Sequence, residues 1–180
     1  MRRTGIAILA ALAAGACSTS AREQAAVDAP PGSSVTQADV RDTSGRTLAR
    51  ASVSQVGDAV RVRVEATGLA PGIYGAHIHS VGRCDAPAFE SAGPHWNPTG
   101  RQHGRDNPGG QHLGDLPNLM VGTDGRGSFE FTIAGAMLSG GPGPVLDGDG
   151  AAVVVHGRPD DYRTDPSGNS GARIACGVLG

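Results

Sequence analysis

Val60-Arg61-Val62-Arg63-Val64-Glu65-Ala66 decides the fold. Apolar and charged residues alternate strictly, and a period of two marks a strand with one face in a core and the other in water. Gly57-Asp58 ahead of it is a turn signal, and the run through Ala49, Ala51 and Val53 before that turn supplies the partner strand of a hairpin. The alternation returns in Phe129, Phe131 and Ile133 against Ser128, Glu130 and Thr132, entered through the turn Thr123-Asp124-Gly125-Arg126-Gly127. Val35 to Arg41, Gly75 to Ser80, Leu116 to Val121, Ala151 to His156 and Arg173 to Leu179 are further short strand candidates. The pattern predicts an all-β chain of about eight strands with no helix. Long sheet edges invite aggregation, so a closed sandwich or barrel is the expected arrangement. With 29 Gly, 12 Pro and only 3% aromatic residues, the composition also favours short strands and many turns over long helices.

The first residues read differently. Met1-Arg2-Arg3 is basic, Ile6 to Ala14 is apolar, and Gly15-Ala16 precede Cys17. The apolar run is too short to span a bilayer, so residues 1–16 read as a lipoprotein-type signal peptide. Ala14-Gly15-Ala16-Cys17 resembles the lipobox of bacterial lipoproteins, in which the Cys is lipidated and becomes the new N-terminus. Ordinary cleavage after Ala14-x-Ala16 is the alternative. Residues 17–34 are rich in Ala, Ser, Pro and Gly without a hydrophobic period, and read as a tether. Residues 35–180 then form one domain, held in the periplasm or cell envelope and touching the membrane only through a lipid anchor on Cys17. The net charge of -2 argues against a nucleic-acid partner.

The chain has three cysteines, Cys17, Cys84 and Cys176. With Cys17 lipidated, one pair remains, and an exported protein sits where disulfides persist. A Cys84–Cys176 bridge is therefore expected, and closing a loop of that length is worth on the order of 4–5 kcal/mol in the chain-entropy picture.

All six histidines fall into three groups. His77 and His79 stand two apart in the strand-like Ala76-His77-Ile78-His79, so both rings lie on one face. His156 ends the apolar run Val153-Val154-Val155. His95, His103 and His112 occupy a Gly- and Pro-rich loop that closes on Asp115, and three histidines with one aspartate suit zinc. With Asp115, the histidines make seven candidate ligands for two four-coordinate metals. Imidazole has two nitrogens, so one ring bridging both metals is a sensible conjecture; one metal keeping an open position is the other.

Gly75-Ala76-His77-Ile78-His79, Gly93-Pro94-His95-Trp96-Asn97-Pro98, His112-Leu113-Gly114-Asp115, Val154-Val155-His156 and Gly171-Ala172-Arg173-Ile174-Ala175-Cys176-Gly177 together resemble the bacterial copper–zinc superoxide dismutases over about residues 35 to 180. The resemblance implies an eight-stranded Greek-key β-barrel with two long loops, one metal-binding and one electrostatic. It implies one copper per chain on His77, His79, His95 and His156. One zinc per chain falls to His95, His103, His112 and Asp115, so that His95 bridges. It further implies Asp160 as the carboxylate linking His77 to His103, with the adjacent Asp161 as the alternative. Arg173 is implied as the active-site arginine for the superoxide anion, and His95 as a proton donor between half-reactions. Monomer and homodimer both occur in the family. Ala76 and Trp96 stand where Phe is more usual in the family; the smaller Ala76 predicts looser packing behind the copper ligands, and neither change removes a ligand.

Two other classes stay in view as alternatives. A zinc hydrolase needs an open zinc position with a general base nearby, and the chain has no HExxH motif. A non-catalytic copper-binding lipoprotein needs neither Arg173 nor Asp160, and this chain has both.

Overall fold

A computed structural model describes residues 35–180; the signal peptide expected at residues 1–16, the tether expected at residues 17–34 and the lipidation expected at Cys17 lie outside the described residues. The described chain is almost entirely β: β1 (Val35–Arg41), β2 (Thr47–Val56), β3 (Ala59–Ala66), β4 (Gly72–Tyr74), β5 (Ala76–His79), β6 (Leu119–Val121), β7 (Gly127–Ala134), β8 (Ala151–His156) and β9 (Arg173–Leu179). A single 3-10 turn at Glu90–Ala92 is the only helical segment among the described residues.

The stretch at Val60–Ala66 behaves as its pattern requires. Val60, Val62 and Val64 are fully buried, while Arg61, Arg63 and Glu65 face water. The hairpin to β2 forms with Val62 opposite Val53, and β3 pairs next with β7 instead of β4. One curled sheet runs in the order β5-β8-β9-β1-β2-β3-β7, so the first and last strands are neighbours. The turn from Gly122 to Arg126 carries β6 into β7, and β6 pairs with β4 in a separate two-stranded sheet, from which the chain runs through Gly75 into β5.

The expected eight strands become nine because β4 (Gly72–Tyr74) precedes the expected run Gly75–Ser80, of which Ala76–His79 forms β5, and the two are separated at Gly75. Upstream of the break the chain pairs with β6, and downstream with β8. Gly75 itself bonds across the gap: its N–H donates to Arg158 O, and its C=O accepts from His156 N–H. Strand β4 is only Gly-Ile-Tyr, too short for any periodicity to show.

Strand β8 shows no alternation, and all six of its residues are buried. Ala151, Val153 and Val155 face the main core. Ala152 and Val154 face the other way, against Phe89, Ala92, Cys84 and Cys176. The Cys84–Cys176 disulfide, Cα–Cα 5.6 Å, fastens that covering loop to β9, as expected from the cysteine count.

Candidate metal centre

The site is built on β5 and β8. In β5, Ala76 and Ile78 enter the core, which turns His77 and His79 to the opposite face. The register sets His77 beside Val154 and His79 beside Ala152, so His156 lies two positions past Val154, at the end of β8 opposite Arg173 of β9.

The long loop after β5 returns twice to this edge. Trp96 N–H donates to Ile78 O at 2.8 Å, and Ile78 N–H donates to Gly114 O at 2.9 Å. These bonds bring His95 opposite His79 and Asp115 opposite His77. Gly114 is needed for the approach, since a Cβ there would stand 2.5 Å from Ile78 O. The loop thus replaces regular structure with bonds to a strand edge.

Four ring nitrogens are buried without a hydrogen-bond partner: His77 Nδ1, His79 Nε2, His95 Nε2 and His156 Nε2. Ligand atoms of these four residues lie within 4.8 Å of one another. The opposite nitrogen of each ring is engaged. His77 Nε2 is 2.8 Å from Asp160 Oδ2, His79 Nδ1 2.8 Å from Gly93 O, His95 Nδ1 2.9 Å from Asp115 Oδ1, and His156 Nδ1 3.2 Å from Gly171 O. An unpaired buried polar group costs about 1–3 kcal/mol. Four such atoms converging on one point therefore fit a metal ion, and an all-imidazole set suits copper.

A second cluster surrounds Asp115. His95 Nδ1, His103 Nδ1 and His112 Nδ1 lie 2.9, 3.0 and 3.2 Å from Asp115 Oδ1, and His112 Nδ1 is 3.5 Å from His95 Nδ1. A tetrahedron with ~2.0 Å ligand bonds has edges of ~3.3 Å, so these spacings fit zinc. Asp115 is oriented by its other oxygen, which accepts from Gly104 N–H and His112 N–H. His77, His95, His103 and Asp115 also have ligand atoms within 4.8 Å of one another. His77 nonetheless belongs with the first set, because its Nε2 is taken by Asp160 and its free nitrogen is Nδ1.

Asp160 stands between the clusters, with Oδ1 3.0 Å from His103 Nε2 and Oδ2 2.8 Å from His77 Nε2. Asp161 does something else: its carboxylate accepts from Arg163 N–H, Thr164 N–H, the Thr164 hydroxyl and Asn169. Arg173 donates to Phe89 O at 2.7 Å and Gly93 O at 2.8 Å, and its charge acts on both His79 and His156.

Burial sets the protonation of the first cluster. It pushes His77 down to about 3 and His156 down to about 4, and it lowers His79 and His95 as well. All four rings are neutral at physiological pH, as metal ligands must be. His103 goes the other way. Burial opposes its charge, but the Asp115 and Asp160 carboxylates outweigh burial and raise it to about 9. Those two carboxylates are themselves held well below the usual range against burial, Asp115 mainly by His103 and His112 and Asp160 by His103 and His77.

Residues 47–179 match the copper/zinc superoxide dismutase (SODC) family. The chain belongs to that family. Superoxide dismutase [Cu-Zn] 1 of Aquifex aeolicus is 40% identical over 148 residues, covering 80% of this chain and 86% of that protein. Superoxide dismutase-like protein YojM of Bacillus subtilis is 46% identical over 124 residues, covering 68% of this chain and 63% of that one. The crystal structure of a SOD-like protein from Bacillus subtilis superposes with a TM-score of 0.75 at 39% identity, over 79% of this chain and 97% of that one. Copper and zinc are the metals of this family.

Ala76 and Trp96, the two positions at which the resemblance expects Phe, both lie behind the site. Ala76 is fully buried and Trp96 is 5% exposed, both in the main core cluster, and the Trp96 indole N–H donates to Pro144 O at 3.2 Å. Sequence reasoning missed Asn118 and Tyr162, which contact Asp160, and the carbonyls of Gly93 and Gly171, which hold two of the rings. Backbone acceptors leave no trace in residue type, and nothing in the spacing of Asn118 or Tyr162 points to Asp160.

Proposed function

We propose that this protein dismutes superoxide, two superoxide anions and two protons giving one oxygen and one hydrogen peroxide. Copper would be held by His77, His79, His95 and His156, and zinc by His95, His103, His112 and Asp115. When bound, copper supplies one-electron redox chemistry and zinc, which has none, a fixed positive charge. The observation that carries the reading is the division of His95: its Nδ1 faces the Asp115 cluster while its Nε2 is one of the four unpartnered nitrogens.

The chain's own residues divide the remaining work. Asp160 fixes the rings of His77 and His103, and the Gly93 and Gly171 carbonyls fix those of His79 and His156. Arg173 offers the guanidinium that draws the anion in and orients it. His95 Nε2 is the atom at which a proton is held for delivery to the second superoxide.

Family membership alone does not carry activity, since one relative is named only as superoxide dismutase-like. The test is superoxide consumption, followed by stopped flow on protein loaded with copper and zinc. Loaded protein that leaves superoxide decay at its spontaneous rate would overturn the reading. Residues 1–34 give the location: export by residues 1–16, a lipid on Cys17, and a tether holding the enzyme in the cell envelope. Acyl labelling of the wild type against Cys17→Ser tests the anchor, and wild type without label would refute it.

A further inference from the structure

We propose that Asn118 and Tyr162 are positioning residues that set the geometry of both metal clusters through Asp160. The inference rests on the two-metal reading above. Asp160 must satisfy two rings with one carboxylate, Oδ2 meeting His77 Nε2 at 2.8 Å and Oδ1 meeting His103 Nε2 at 3.0 Å. A carboxylate turns about two side-chain bonds, so it serves both rings at once only if its backbone is fixed and one rotation is locked.

Asn118 fixes the backbone. Its side-chain amide donates to Asp160 O at 2.9 Å and accepts from Asp160 N–H at 2.8 Å, a two-point clamp on the backbone of a single residue, holding the peptide groups on either side of its Cα. Tyr162 locks the rotation. Its N–H donates to Asp160 Oδ1 at 2.6 Å, and its phenolic oxygen accepts from Asn118 N–H at 2.7 Å. The three residues close a ring of hydrogen bonds, and Asn118 ties that ring to the barrel because β6 begins at the next residue. Gly168 walls the far side, where a Cβ would stand 1.9 Å from Asp160 Oδ1 and 2.6 Å from His103 Nε2.

Tyr162 performs its part from a left-handed backbone, φ 60, which non-glycine residues adopt only where surrounding contacts impose it. Those contacts come from the zinc loop. Arg105 lays its guanidinium over the Tyr162 ring, Cζ 3.8 Å from the centroid, and Asp106 N–H donates to Tyr162 O at 2.9 Å. Tyr162 is therefore held by the chain segment that immediately follows His103, while it orients the carboxylate that holds the His103 ring.

Partners of ligating histidines typically change metal affinity 10- to 100-fold when removed. The experiment uses copper- and zinc-loaded protein and reads two signals: the rate of zinc loss to a chelator, and the copper electron paramagnetic resonance spectrum. Asn118→Ala should speed zinc loss about 10-fold. It should also alter the copper spectrum, because His77 and His103 lean on the same carboxylate. Tyr162→Phe keeps the ring stack and the backbone N–H and loses only the acceptor for Asn118, so it should speed zinc loss about 2- to 10-fold. Asp161→Asn is the control. It loosens the same loop, because the amide keeps one oxygen for Arg163 N–H and Thr164 N–H but loses the one that accepts from the Thr164 hydroxyl and Asn169; it does not touch Asp160's carboxylate, and should leave both signals at wild type. If Asn118→Ala does not fold, Tyr162→Phe against Asp161→Asn carries the test. Wild-type signals in both positioning variants, or an equal change in Asp161→Asn, would overturn the proposal. Wild-type protein that takes up no zinc would overturn the two-metal reading and this proposal together.

Discussion

The guanidinium of Arg173 and the ring of His79 meet on one atom, the carbonyl oxygen of Gly93, at 2.8 Å each. The cation is thereby fixed beside the four unpartnered imidazole nitrogens by the same acceptor that turns His79 Nε2 inward. Its second bond, to Phe89 O, lies in the same loop; burial lowers the guanidinium from its ordinary value, and its intrinsic basicity still keeps it charged at any working pH.

A net charge of -2 offers no general attraction to an anion, so a local field must supply it. Focused fields raise on-rates about 10- to 1,000-fold. Arg173→Ile should keep copper and zinc content and lower the rate about 10-fold or more. Arg173→Lys should keep part of the rate, since the charge survives and the two-carbonyl fork does not. Salt should slow the wild type more than Arg173→Ile, because screening shortens the field to ~8 Å at physiological ionic strength. Stopped-flow decay against ionic strength checks this, and equal salt slopes would count against it.

His95 is the residue shared by the two clusters, so its removal should be felt in both. His95→Ala should change copper spectra and weaken zinc, while His103→Ala should weaken zinc with little effect on the copper spectrum. Metal analysis and copper absorption spectra of the two variants make the comparison. An unchanged copper spectrum in His95→Ala would remove the bridge.

Proton release should separate the two metals. In the metal-free protein His103 is raised to about 9, so it carries a proton at pH 7 that zinc must displace. Zinc affinity should therefore rise about 10-fold per pH unit toward about 9, with about one proton released per zinc from this ring. His77 and His156 are lowered to about 3 and about 4, are already neutral, and release none to copper. The same sign governs stability without metal. A raised His103 contributes stability that is complete below its unfolded value of 6.5 and is lost as pH rises through about 9, so zinc should stabilise more at higher pH. Titration calorimetry in buffers of different ionisation enthalpy counts the protons, and equal counts for the two metals would contradict this assignment.

Much of this was legible in the chain because strands and ligands both write themselves in spacing. The alternation at Val60–Ala66 encoded one buried face, and His77 with His79 encoded one shared face. Strand β4 was hidden because three residues carry no period, and β8 resembled a simple apolar run because two separate clusters bury it from both sides. The clamp by Asn118 was invisible for a different reason. It acts on the backbone of Asp160, 42 positions away, and any residue there would present the same N–H and C=O.

The disulfide joins these threads. Cys84 lies in the loop that supplies both acceptors of Arg173, and Cys176 lies on the strand that carries Arg173 itself. Breaking the bridge should have two consequences of different kind. Releasing a closed loop of 92 residues should lower the melting temperature on the order of 10 °C, from about 4–5 kcal/mol in the chain-entropy picture. Loosening the loop should also let Phe89 O and Gly93 O drift from Arg173, lowering the superoxide rate at low salt while the copper content of loaded protein stays unchanged. A double-mutant cycle distinguishes this from general damage. If the bridge acts on rate through Arg173, the Cys84→Ser/Cys176→Ser change should cost little further rate in an Arg173→Ile background, since the group it positions is already gone. Rate losses that simply multiply would mean that the disulfide stabilises the barrel without positioning the arginine.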